Sequence, residues 1–288
     1  MASIIVLRRR IKSIRNTRQI TQAQQLVAAS KLRRAQEYAQ RSRAYAELAS
    51  ELLTRLSGIT EVERQPLFEK RTVKNRLYIL ITSNTGLAGA YNANVLKLLT
   101  VAVKEDQAAK VVSHVLAIGN KGAQFVRRVS DIDLEAAYPG FGNEPTANDL
   151  RPALNTIIEQ YKSGEVDDVR VLFTRFRSTV SQIATSQQLL PAQSVGGVQS
   201  GNAISNFEPD AETVIDQVAT RLIEAQVWQA LLESIASEHA MRMMAMKNAT
   251  DNAKDLIDDY TLELNTARQA AVTQELAEIT GGAEALNG

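Results

Sequence analysis

The chain has 288 residues, and its 33 Lys and Arg against 32 Asp and Glu give a formal net charge of +1. This balance excludes a uniformly basic nucleic-acid-binding protein and an acidic solvating protein. Cysteine is absent, which excludes disulfides, thiolate metal sites and thiol nucleophiles.

Charge is unevenly distributed along the chain. Residues 1–59 have a net charge of +9, residues 60–208 of +1 and residues 209–288 of −9. The two ends therefore have equal and opposite charges, which makes them complementary partners. No apolar stretch approaches the roughly 18 residues of a membrane-spanning helix, so we expect a soluble chain that is not exported.

Glycine and proline are just as unevenly placed. No glycine precedes Gly58, and neither glycine nor proline occurs between Pro209 and Gly281. Because these residues are the main breakers of regular structure, both ends predict uninterrupted helices of roughly 85 and 105 Å. Neither helix would fit within a globular domain about 40 Å across.

The first predicted helix covers about residues 3–57. Apolar or small residues recur every three or four positions from Leu7 to Leu56, in a narrow stripe of coiled-coil type. The glutamine-rich sequence QITQAQQL at 19–26 interrupts this stripe. A stripe this narrow predicts one partner helix.

The middle of the chain alternates strand and helix patterns. Apolar runs predict strands at 76–82, 114–119 and 169–176, with helices at about 90–106, 120–129 and 147–163 between them. That order is typical of a mostly parallel sheet covered by helices. An alternating run after residue 176 predicts an antiparallel partner strand, and the Gly-, Ser- and Asn-rich stretch 192–206 predicts a loop.

The last predicted helix begins at Pro209, followed by acidic residues that suit a helix N-terminus. Its apolar stripe includes His239 and Leu256, and Gly281 and Gly282 are expected to end it. The two terminal helices should run antiparallel, because the middle of the chain must connect the end of one to the start of the other.

The predicted fold class is α/β plus a long α-helical coiled coil. An antiparallel two-helix coiled coil forms from the N- and C-terminal segments, with an inserted Rossmann-like α/β domain. The expected domains are an N-terminal coiled-coil helix at 1–58, a central α/β domain at 59–208 and a C-terminal coiled-coil helix at 209–288.

Few residues suggest catalytic chemistry. Gly86 and Gly89 form a turn between a strand and a helix that could bind phosphate through backbone amides, but the turn lacks the Lys-Ser/Thr of a Walker loop and the GxGxxG spacing. A tight turn is the favoured interpretation, and an α/β enzyme that uses it is a remaining alternative. Structural roles are favoured for both histidines, and packing for the methionine cluster at 241–246.

The basic N-terminal arm suggests a second alternative. Residues 1–36 contain nine Lys and Arg and no acid, as in a nucleic-acid-binding coiled-coil protein. The acidic C-terminal segment offers an internal partner, however, and no aromatic residue precedes Tyr38 for base stacking. We favour a helical stalk with a globular insertion and no catalytic site.

Both ends of the chain resemble the gamma subunits of F-type ATP synthases. The N-terminal motifs are RRRIKSIRNTRQIT (8–21) and VAASKLRRAQ (27–36), and the C-terminal motifs are SEHAMRMMAMKNATDNA (237–253) and ARQAAVTQELAEITGGAEAL (267–286). The central LYILITSNTGLAGAYNANV also resembles the first strand and turn of that family.

This resemblance implies a non-catalytic central-stalk subunit without a cofactor or metal. It would couple rotation of a proton-driven membrane ring to conformational cycling of the catalytic beta subunits. The implied partners are the alpha, beta and epsilon subunits and the membrane c-ring, with one copy of this chain per complex and no nucleic acid. The implied location is the cytoplasmic face of the bacterial cell membrane, as a peripheral protein.

The resemblance also implies contact residues. Those expected to contact the alpha and beta ring are Arg8, Arg9, Arg10, Ile20, Gln24, Leu26, Thr85, Gly86, Leu87, Ala88, Arg242, Arg268, Gln269, Thr273 and Glu275. On the rotor-ring side, the expected contacts are Asn206 and Phe207. The family often has lysine and methionine across 22–26, where this chain has neutral amides and Leu26.

Overall fold

The computed structural model describes residues 4–56, 66–130, 132–140, 146–192 and 211–287. Its helices and strands, in chain order, are α1 (Ile4–Leu56), β1 (Asn75–Ile81), α2 (Tyr91–Ala108), β2 (Val112–Ile118), α3 (Asn120–Val126), β3 (Asp133–Tyr138), α4 (Ala147–Ser163), β4 (Asp168–Phe176), β5 (Gln182–Leu190) and α5 (Ala211–Asn287). The chain divides into two compact units, Met1–Val27 with Met243–Gly288, and Ala28–Arg242. Each long helix contributes one segment to each unit.

The sheet confirms the predicted α/β fold. Its strand order is β3-β2-β1-β4-β5, with β1, β2, β3 and β4 parallel and β5 antiparallel to β4. The hairpin predicted after residue 176 is therefore confirmed, as are the three predicted strands. One strand, β3, was not predicted; it has six residues, lies at the edge of the sheet and alternates between exposed and half-buried residues.

Two hydrophobic layers cover the sheet, one on each face. Alternate residues of β1 point to opposite faces, as in any strand, so Leu77 and Ile79 join one cluster while Tyr78 and Leu80 join the other. The first cluster includes residues of α4 and of α5 between 219 and 231, and the second includes residues of α2 and α3. The 219–231 segment of α5 is therefore part of the core of the unit Ala28–Arg242.

In the other unit, α1 and α5 run antiparallel, as predicted. The Thr250 hydroxyl donates a hydrogen bond of 2.8 Å to the Thr21 hydroxyl, and the Arg10 guanidinium lies 5.7 Å from the centre of the Tyr260 ring. Thr21 is buried within the glutamine-rich stretch that interrupts the apolar stripe. A hydrogen-bonded pair of threonines therefore replaces an apolar contact there.

Two details of α5 were predicted wrongly. Leu256 is 46% exposed, whereas the next residue, Ile257, is 8% exposed and belongs to the buried stripe. The spacing of the apolar stripe is compatible with burial of either residue. Only the position of α1 determines which of the two is buried. In addition, α5 continues through Gly281 and Gly282 to Asn287, because glycine weakens an exposed helix by about 1 kcal/mol without forbidding it.

Candidate functional site

The C-terminal part of α5 extends beyond the first described residue of α1. Since Arg10 faces Tyr260 and Thr21 faces Thr250, Ile4 lies opposite about residue 266 of α5. The helix continues to Asn287, which leaves about 20 residues, or roughly 30 Å, past that point. We call residues 267–287 the α5 extension.

Four of the predicted ring contacts lie on the α5 extension. They are Arg268, Gln269, Thr273 and Glu275, and all four are exposed. The Thr273 hydroxyl donates to the Gln269 backbone carbonyl at 2.9 Å, and the other polar side chains of these four residues face solvent. Neighbouring apolar residues such as Leu276 and Ile279 are also exposed, so this helix presents a mixed surface without an internal partner among the described residues.

Arg8, Arg9 and Arg10 form an exposed basic surface on α1. Within the described side chains of 4–27 and 243–283, no ion pair within 4 Å joins the two helices, and the Arg10 contact with Tyr260 is a cation–π contact. Between these two described segments, opposite charges therefore attract over distance rather than through direct salt bridges. The arginine side chains remain accessible to another molecule.

The side of α1 around residues 20–26 is exposed and partly apolar. Ile20 is 59% exposed and Leu26 is 65% exposed, whereas Gln24 is half-buried. The adjacent Thr21 is buried, so only one side of this helical turn faces the partner helix. The three predicted contacts on this segment therefore lie partly or fully outside the internal interface.

The turn between β1 and α2 carries the other group of predicted contacts. Thr85, Gly86 and Leu87 are exposed, and Leu87 is 64% exposed with a positive φ of 61°. Ala88 is only 2% exposed and packs inside the chain. Gly89 has a φ of 56°, a conformation that favours glycine, which is the tight-turn use expected from the sequence.

Arg242 itself contacts two of the other predicted contact residues, Thr85 and Gly86, although it lies 157 residues from Thr85 along the chain. Its Nη2 donates to the Thr85 hydroxyl at 3.3 Å and to the Gly86 carbonyl at 3.4 Å, and its Nη1 lies 2.7 Å from Glu238 Oε1. Glu238 was not singled out from the sequence. Its i, i+4 spacing to Arg242 is the one signal that could have suggested the pair.

A cavity of about 240 Å³ lies beside this group, and it is lined by charged residues from two helices, α1 and α5. Burial raises the pKa of the Glu238 carboxyl, an effect that Arg242 and Lys31 oppose. Burial, with the positive charges of Arg242 and Lys31, lowers the pKa of His239 to about 4. His239 is therefore neutral at physiological pH, in agreement with its predicted structural role.

The remaining candidates give no sign of catalytic chemistry. His114 lies opposite Asp133 in the strand register, with Nδ1 3.2 Å from the carboxylate. Met246 is buried, and the other methionines of the 241–246 cluster are half-buried, as expected for packing. Across the described ranges, no three His, Asp or Glu residues are placed to hold a metal ion. Asn206 and Phe207 lie outside the described residues.

In the part of the chain that the structure describes, no helix is long and apolar enough to cross a bilayer.

Comparison with known proteins covers nearly the whole chain. The family model described as "ATP synthase" matches residues 3–286. The chain is 40% identical to the ATP synthase gamma chain of Acidithiobacillus ferrooxidans over 99% of its own length and 100% of that protein. It is 41% identical to the ATP synthase gamma chain of Desulfitobacterium hafniense, again over 99% of this chain and 100% of that protein.

A solved structure agrees with these sequence relationships. The chain is similar to a component of the central stalk and c-ring of Tetrahymena thermophila mitochondrial ATP synthase, with 25% identity and a TM-score of 0.60. The alignment covers 80% of this chain and 99% of that chain. These matches support the non-catalytic central-stalk interpretation and do not support the nucleic-acid or enzyme alternatives. The chain belongs to the gamma-chain family of the ATP synthases.

Proposed function

We propose that this chain couples rotation of a proton-driven membrane ring to the conformational cycling of catalytic beta subunits. The α5 extension is the observation that carries the proposal, because a single exposed helix of roughly 30 Å needs a surrounding partner. A rotating helix with different side chains around its circumference would contact each of three beta subunits differently and favour a different state in each.

We propose two sets of contacts with the alpha and beta ring. The first is helical and comprises Arg8, Arg9, Arg10, Ile20, Gln24, Leu26, Arg268, Gln269, Thr273 and Glu275. The second is the turn Thr85, Gly86, Leu87 and Ala88 with Arg242. Ala88 is buried, so its contribution would be to hold the turn in shape rather than to touch beta.

The remaining parts of the proposal concern the assembly. One copy of the chain would associate with alpha, beta and epsilon subunits and with the c-ring, through a rotor-ring side that includes Asn206 and Phe207. The complex would place it at the cytoplasmic face of a bacterial membrane. We also propose that residues 59–208 form the inserted domain between helices at 1–58 and 209–288.

The test replaces two polar side chains on the α5 extension. The double change Arg268→Ala and Gln269→Ala removes groups exposed on the free chain, so its fold should be unaffected. In the assembled complex, we expect ATP-driven proton pumping and ATP synthesis to fall by about tenfold, since losing roughly 1.4 kcal/mol of contact energy changes a rate tenfold.

The matched control is Lys104→Ala with Glu105→Ala, two exposed residues on α2 outside the proposed contacts. The control should leave pumping and synthesis unchanged. Unaltered synthesis in the Arg268 and Gln269 variant would rule out these residues as coupling contacts.

A further inference from the structure

The turn between β1 and α2 holds a large apolar residue in an unfavourable backbone conformation. Leu87 has a φ of 61°, which non-glycine residues rarely adopt, and its side chain points into solvent rather than into the core. Such conformations persist when the surrounding structure fixes them, and they often occur at functional sites.

Arg242 reaches the middle of the turn from α5, whereas Asn92 of α2 and Gly140 hold its first residues, Ser83 and Asn84. Its guanidinium donates to the Thr85 hydroxyl and to the Gly86 carbonyl, the two residues directly before Leu87. Within the turn itself, the Ser83 hydroxyl donates to the Thr85 carbonyl at 2.7 Å. A side chain from α5 therefore connects the turn to a helix of the core.

Glu238 in turn fixes Arg242. The two side chains lie one helical turn apart at 2.7 Å, and they are only 16% and 15% exposed, so their pairing is less screened by solvent than that of a surface pair. His239 Nδ1 lies 3.4 Å from Arg242 Nη1. Lys31 of α1 lines the same cavity, and of the described residues that line it, Glu238 is the one with a carboxylate.

We propose that Glu238 is a positioning residue for the ring contact. It orients Arg242, Arg242 holds Thr85 and Gly86, and the turn thereby presents Leu87 as a preformed apolar contact for a beta subunit. This proposal rests on the proposed function, in which the turn touches beta. A preformed contact avoids the entropy cost of ordering a loop on binding.

Without the Glu238 carboxylate, Arg242 has no negatively charged partner in the cavity, where Lys31 is also positively charged. The guanidinium then turns toward solvent, and the Thr85 and Gly86 hydrogen bonds weaken. Leu87 relaxes toward ordinary backbone conformations and becomes mobile, while the core below stays folded.

The absence of cysteine in the chain allows a single nitroxide label to report on the turn. The label is placed at Leu87→Cys in the whole chain, and its mobility is measured by electron paramagnetic resonance. We expect Glu238→Gln to shorten the rotational correlation time of the label at least about twofold, as for a loop released from its support. Glu224→Gln, which removes a half-buried carboxylate from the Arg221 pair on the same helix, is the matched control and should have no effect.

Two further measurements separate positioning from a general loss of structure. If Glu238 acts through Arg242, adding Glu238→Gln to Arg242→Ala should produce no further mobility, because coupled residues are non-additive. A second label at Val180→Cys, an exposed site before β5, should be unaffected by either change. Mobility that increases at both labels, or that adds in the double variant, would overturn the positioning role.

The assembled complex tests the link to function with the unlabelled chain. Both Glu238→Gln and Arg242→Ala should lower coupled ATP synthesis. If Glu238→Gln leaves the mobility of the label at position 87 unchanged, this inference is overturned, whatever the rate of ATP synthesis. A mobile label with normal ATP synthesis supports the positioning role and instead contradicts the proposed contact between the turn and beta.

Discussion

At the scale of single residues, His239 shows how burial determines charge. Its imidazole lies among Arg242, Lys31 and Glu238, and its pKa is lowered to about 4 by burial and by the two cations. Sequence spacing placed His239 on the buried side of the helix, but it gave no indication of these neighbours, since Lys31 lies on the other long helix.

The lowered pKa predicts how stability depends on pH. Because the unfolded chain binds a proton near pH 6.5 and the folded chain only near pH 4, the contribution of neutral His239 is complete above about pH 6.5. It is lost as the pH falls toward 4, by up to about 3 kcal/mol at 1.36 kcal/mol per pKa unit. His239→Gln should remove this part of the acid sensitivity, measured as denaturant midpoints between pH 4 and 7.

The second histidine provides the control, because the chain has only two. In proton NMR, the His239 ring signals should titrate near pH 4. Equal acid sensitivity of the His239→Gln and His114→Gln variants would contradict the prediction, as would a His239 titration near pH 6.5.

At the scale of secondary-structure elements, the end of α5 shows the limit of glycine as a stop signal. Gly281 and Gly282 lie inside the helix, where a Cβ atom at either position would meet no other atom within 4 Å. Neither has the positive φ that a helix-ending glycine usually adopts. The residues that follow remain helical, so a glycine pair predicts a weak point there rather than an end.

This geometry predicts that alanine stabilises the last turns. Gly281→Ala with Gly282→Ala should strengthen the helix end by about 1 kcal/mol per site, because alanine loses less backbone entropy. Slower hydrogen exchange of the amides between 276 and 284 would measure this effect. The reverse change, Ala270→Gly, should accelerate hydrogen exchange of nearby amides. Unchanged exchange rates in the alanine variant would show that the two glycines do not lower the stability of the helix end.

At the scale of the whole molecule, the two terminal segments have opposite net charges of equal size. The net charges of +9 and −9 sum with the middle to +1, yet no ion pair within 4 Å joins the described side chains of 4–27 and 243–283. Between exposed charges, attraction is largely screened beyond about 10 Å at 0.1 M salt. We therefore expect the arginines at 8–10 to contribute more to the proposed binding than to folding.

Neutralising this basic surface should separate its contribution to binding from its contribution to folding. The triple change Arg8→Gln, Arg9→Gln and Arg10→Gln should alter the free energy of unfolding of the chain by no more than about 1 kcal/mol, since exposed charges contribute little. Co-purification with alpha and beta subunits should become weaker and less dependent on salt. A large loss of stability in the free chain would instead show that the charges hold the helices together.

The sequence by itself determined the long helices, their antiparallel direction, the parallel sheet with its hairpin and the gamma-chain family. These features depend on local periodicity, on the position of glycine and proline and on long motifs, all of which are visible along the chain. It did not determine the short edge strand β3, because its six residues, DLEAAY, include two acids and two alanines and no β-branched residue, which is a weak strand signal. The tertiary structure alone decided the choice between Leu256 and Ile257, and it alone placed Glu238, Arg242 and Thr85 together. Contacts between residues that lie far apart along the chain depend on how the helices and the sheet pack, and no local pattern encodes that packing.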